Sequence, residues 1–254
     1  MWQKTFFFVV AVILFSGMMV WGEEVQTQGE VVTVGDGYAW YDGGSRTWEI
    51  GTRSVRMSLA EEGGRLVWKG LENLAVGEAV QYIERAGDMP FRVETGLAET
   101  ESSFWKIQGS QMREVTVGGR PAVELDFVLA REGLQAHLQI VAHPGTAILR
   151  QRVELKNTGS LPVKLSAAVP LQMYLGEKFF PSMTNYWLFG GTNTADQGVM
   201  QSADMGASYQ NVLPGENTGN YVPWMGFLRK EGSRDGWFAA LDWLGRWTLG
   251  VERR

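Results

Sequence analysis

From Thr47 to Val251 apolar residues recur at every second position in short runs, and glycine-containing turns separate the runs. That period puts alternate side chains on opposite faces of a strand, so one face of each run needs a second layer to cover it. Over Ala147–Lys156, Leu149, Val153 and Leu155 face one way, while Arg150, Arg152, Glu154 and Lys156 face the other. After the turn Asn157-Thr158-Gly159-Ser160, Leu161, Val163, Leu165, Ala167 and Val169 alternate with Pro162, Lys164 and Ser166. Strands with one apolar and one charged face belong to antiparallel sheets that are wet on one side. Beyond an apolar N-terminal run, no segment has a helical period. The expected class is all-β: a large, two-sheet antiparallel sandwich.

Turn chemistry sets the expected order of strands. Trp48–Leu59 reads as one long strand with a bulge near Arg53, and Glu62-Gly63-Gly64 turns it into Arg65–Trp68. Further strands are expected at Phe91–Glu94, Phe104–Ile107, Arg113–Val117, Ala122–Ala130 and Leu134–Val141. Gly118-Gly119, Arg131-Glu132-Gly133 and His143-Pro144-Gly145 supply turns between them. Trp237, Ala239, Leu241 and Trp243 share one strand face, and Trp247, Leu249 and Val251 share another, which reads as a hairpin. A chain that stops there is expected to be the front part of a longer protein. Glu177–Val222 is polar and glycine-rich, carries Phe179, Phe180, Tyr186, Trp187, Phe189, Tyr209 and Tyr221, and reads as a long functional loop.

Lys4, the apolar run from Thr5 to Val20 and the small-residue site Val20-Trp21-Gly22 read as a secretory signal peptide over residues 1–22, with a retained membrane anchor as the rival reading. The expected location is therefore outside the cytoplasm: periplasmic, extracellular or at the cell surface. Residues 23–46 follow as a lead-in. There is no cysteine, so an exported domain of this kind rests on its core rather than on disulfides. A formal charge of −5 with interspersed signs argues against nucleic acid and against an anionic membrane surface. With no Cys and two His, neither a metal nor another cofactor is expected. Gly35-Asp36-Gly37 lacks the third glycine and the following helix of a nucleotide loop.

Three segments together resemble the amino-terminal domain of family 36 glycoside hydrolases, the melibiase-type alpha-galactosidases. They are Thr47–Arg53 with Gly64–Asn73, Ile148–Gly159 with Pro162-Val163, and Pro223–Phe227 with Gly236–Trp247. The resemblance implies a galactose-mutarotase-like β-supersandwich over residues 47–254, followed by a (β/α)₈ barrel holding the catalytic aspartates. This sequence contains no such barrel, so no catalytic residue carries over. The implied partners are a galactoside-like carbohydrate and the chain's own missing barrel, and self-association is expected of the sandwich alone. A stand-alone carbohydrate-binding or scaffolding module is the other reading, and a small sugar epimerase a third.

Sugars are held by aromatic faces with amide and carboxylate groups around them, and Asn185, Tyr186 and Trp187 in the polar segment have that chemistry. They are the expected substrate-binding residues. Glycosidase chemistry needs two carboxyl groups at a set separation. Glu84 and Asp88 flank a turn, and Glu124 and Asp126 share a strand face; both pairs read as solvated or ion-paired surface. His137 in a strand and His143 in a turn read as structural, and Trp224, Trp237, Trp243 and Trp247 as core.

Overall fold

The computed structural model describes residues 30–76, 79–83, 87–95, 104–176, 183–190, 198–206, 209–215, 221–229, 235–242 and 246–252, with the backbone of 7–10. The rest of the expected leader, residues 23–29, Glu84, Phe179, Phe180 and Trp243 lie outside them. The described residues are all-β, and every strand pair is antiparallel.

One layer is a six-stranded sheet in chain order: β2 (Val31–Val34), β3 (Gly37–Asp42), β4 (Thr47–Gly51), β5 (Val55–Glu62), β6 (Arg65–Asn73) and β7 (Val80–Gln81). Residues 31–46, expected as a lead-in, thus build two of its strands. Gly63 and Gly64 both have positive φ, 59° and 79°, which the two-residue turn from β5 to β6 requires. Trp48–Leu59 is a hairpin rather than one bulged strand. Thr52 N–H donates to Val55 O at 2.8 Å, and its hydroxyl donates to Thr146 O at 2.6 Å, which reverses the chain and anchors the turn.

The other layer runs continuously along the chain through β9 (Lys106–Val117), β10 (Arg120–Arg131), β11 (Leu134–Ala142) and β12 (Leu149–Asn157). The two strands expected between Phe104 and Val117 are one strand, with a register shift at Val128/Leu129 opposite Gly109 and Ile107. The sheet continues through β1 (Phe7–Val10) to β18 (Gly236–Asp242), β17 (Tyr221–Arg229), β14 (Met183–Phe189) and β15 (Met200–Asp204), making nine strands. Two ribbons complete the fold: β8 (Arg92–Thr95) with β13 (Leu165–Val169), and β16 (Gln210–Gly215) with β19 (Trp247–Glu252). Two expectations fail here. Leu161–Pro162 stays outside the ladder because Leu161 is exposed and proline has no N–H to donate. The expected terminal hairpin is also absent: β18 pairs with β17 and β1, whereas β19 pairs with β16 on the opposite side of a core.

Burial follows from this layering. The first core joins Trp48, Ile50, Leu59 and Trp68 of the six-stranded sheet to Leu125, Phe127, Leu138 and Val153 of the nine-stranded one. Trp48 meets Phe127 edge-on at 5.0 Å. A second core holds Met183, Met225 and Phe227 against Leu213 and Trp247 of the β16–β19 ribbon. Trp237 stacks on Phe227 at 4.1 Å, so Trp237 and Trp247 are core residues as expected. A buried polar knot pins the six-stranded sheet to β17 and β18. In it the Asp235 carboxylate accepts from Tyr82 Oη and from Asn73 Nδ2 (2.9 Å), and pairs with Arg229 at 3.2 Å.

Candidate functional site

The segment expected as a loop contains β14, β15 and β16. The period of two is present there but disguised, because a polar residue occupies an inward position. Met183, Asn185 and Trp187 face the second core, and Thr184, Tyr186 and Leu188 face outward. Asn185 is fully buried. Its Nδ2 donates to Gly226 O at 3.0 Å, and its Oδ1 accepts from Tyr209 Oη and Asn211 Nδ2, each at 2.7 Å. The amide is thus a strut joining β14 to β16 and β17. Trp187 packs against the same core. Tyr186 lies on the far side of the strand, so the three expected sugar ligands do not converge on one surface.

The outward face of β9–β12 is a second concentration of chemistry. Cross-strand register sets Arg113, Glu124, Val141 and Arg150 in one row, with Gln111, Asp126, Gln139 and Arg152 in the next. Val128, His137 and Glu154 continue a third row. Glu124 and Asp126, expected as surface, are only 6% and 4% exposed, and His137 and Gln139 are buried beside them. Arg113 Nε donates to Glu124 Oε1 at 2.9 Å and its Nη1 to Gln111 Oε1 at 3.1 Å. Arg152 pairs with Glu154, and His137 Nδ1 stands 3.7 Å from Asp126 Oδ1. Burial pushes the Glu124 carboxyl above its ordinary value, with Arg113 opposing the shift. Burial also lowers His143 and Arg150, whose mutual repulsion adds to the shift of His143.

Neither a protein-family model nor a curated protein matches this chain.

Chemically, the β9–β12 face is a set of mutually compensating charges rather than an open pair of acids. Glu124 is committed to Arg113 through hydrogen bonds, whereas Asp126 Oδ1 and His137 Nδ1 face each other at 3.7 Å without one. Among the described residues no cluster of three His, Asp or Glu side chains is arranged to hold a metal ion. His137 sits within β11 and His143 in the turn after it, at the expected positions. Sequence reasoning missed that Arg113, Gln139 and Arg152 belong with Glu124 and Asp126. The signal was the outward period of three consecutive hairpins, which register alone turns into rows. It also placed Trp224 in the core, whereas Trp224 lies on the outward face of β17, since Met225 and Phe227 take the inward positions.

Proposed function

We propose that this chain is the amino-terminal β-sandwich part of an exported, alpha-galactosidase-like glycoside hydrolase. In this reading it supports a catalytic barrel and contributes to holding sugar, and it does not itself break glycosidic bonds. One observation carries the reading. The three segments on which the resemblance rests, far apart in sequence, supply core residues to one all-β fold: Trp48, Trp68, Val153 and Leu155 to its first core, Phe227 and Trp247 to its second. Motifs that serve a common architecture in a common order support a shared domain type better than isolated matches do. A fold by itself does not carry an activity, so hydrolysis is the test.

The purified chain is expected to leave an aryl α-galactoside intact, and a gene product extended through the barrel is expected to cleave it. Glu124 and Asp126 are the acids to watch. Two residues apart on a strand, their Cα atoms are about 7 Å from each other. Turnover by the chain alone that is lost in Glu124→Gln or Asp126→Asn would place the active site on the β9–β12 face and refute the reading.

A further inference from the structure

The outward face of β14, β17 and β18 differs from the charged face of β9–β12. Tyr186, Gly226 and Phe238 stand directly across from one another in register. A Cβ atom on Gly226 would lie 2.6 Å from the Trp224 ring, so the indole lies over the glycine, between the tyrosine and the phenylalanine. Trp224 is itself opposite Ala240, another small residue. Three aromatic side chains are thereby laid across adjacent strands spaced about 4.8 Å apart. Phe238 is 44% exposed although it is an aromatic residue on a strand. The inward positions of these strands already supply the second core through Met183, Met225 and Phe227, so the outward aromatics are surplus to it. Carboxylates border them: Asp204 opposite Thr184, which donates to it at 2.8 Å, and Asp242 further along β18.

We infer that this face is a binding platform for a neutral saccharide, with pyranose rings stacked on Trp224, Phe238 and Tyr186. Hydroxyl groups then reach Asp204 and Asp242. Carboxylates at two borders accept hydroxyl protons; Arg150 offsets part of the Asp242 charge, and what remains disfavours acidic sugars. The area also favours a small ligand. Aromatic side chains offer about 150–250 Å² each, less than half of each is open here, and exposed Leu228, Val222 and Met200 extend the same face, so it presents on the order of 500 Å². A stable protein interface takes about 800 Å² from each partner. The inference deepens the proposed function by naming the surface that holds the sugar, and it is read by binding where that proposal is read by hydrolysis.

The test is affinity electrophoresis and tryptophan-fluorescence titration of the full chain with galactomannan and xyloglucan, and with polygalacturonate as the acidic counterpart. The neutral polymers should retard the chain and polygalacturonate should not. Trp224→Ala and Phe238→Ala should each weaken retardation at least tenfold, and Gly226→Val, which displaces the indole, should do the same. The Trp224, Phe238 and Tyr186 side chains lie outside the cores, and an unchanged thermal melt confirms folding. If Trp224→Ala lowers the melt, Phe238→Ser and Tyr186→Ala carry the test. No retardation by either neutral polymer, equal retardation by the acidic one, or unchanged binding in the variants overturns the platform. So does sedimentation showing a dimer that Phe238→Ala dissolves, since the face then holds a second copy.

Discussion

Buried polar side chains in this molecule differ in how fully they are answered, and that difference decides what each can do. Asn185 spends its amide on three strands, which makes it a structural residue. Glu124 is answered less fully: Arg113 holds it, yet burial dominates and its carboxyl stays protonated to higher pH than in an unfolded chain. A folded-state value above the unfolded one means that the native protein binds the extra proton between the two. The stability contributed is present below the ordinary carboxyl value and is lost as pH rises through the raised one. Thermal melts followed by circular dichroism from about pH 4 to pH 7 should therefore show a decline that Glu124→Gln removes. An identical profile in the variant would mean that Arg113 fully offsets the burial.

At the scale of elements, the continuity of the nine-stranded sheet depends on β1. It pairs with β12 through Phe7–Val10 and with β18 through Val9 and Val10, whereas β12 and β18 do not pair with each other. The same residues fall inside the expected leader. Cleavage after Gly22 removes β1 and opens backbone donors and acceptors along β12 and β18, and open edges recruit other strands. A chain beginning at Glu23 is thus expected to self-associate in sedimentation velocity at micromolar concentration. A clean monomer would show instead that β12 and β18 close on each other once the leader is gone.

For the whole molecule, the question is what ties the second core to the six-stranded sheet. Leu71 and Val80 of that sheet pack against the second core, and the polar knot at Asp235, which is only 2% exposed, adds Tyr82, Asn73 and Arg229 to the tie. Hydrogen bonding to Asp235 and burial both drive the Tyr82 hydroxyl well above its ordinary value, burial being the larger effect. Arg229 is partly exposed and can turn to water, but removing Asp235 leaves the buried Tyr82 hydroxyl and the Asn73 amide without their acceptor, at about 1–3 kcal/mol each. Asp235→Ala should lose stability of that order in urea denaturation, and the quenching of Trp237, beside Tyr82 at 6.5 Å, should change with it. A loss below about 1 kcal/mol would mean that water replaces the carboxylate and the knot is dispensable.

The all-β class and most hairpins of β9–β12 were legible in the chain, because period-two alternation and glycine turns are local properties that any sandwich must respect. Local signals failed where the answer depended on a distant partner. Thr52 reverses the chain with help from Thr146, ninety-four positions away. Asn185 reads as a sugar ligand until Tyr209, Asn211 and Gly226 are seen to saturate it. Trp224 reads as core until Met225 and Phe227 occupy the inward side of β17. Alternation says that two faces exist, and only the packing of one sheet on another decides which of them meets solvent.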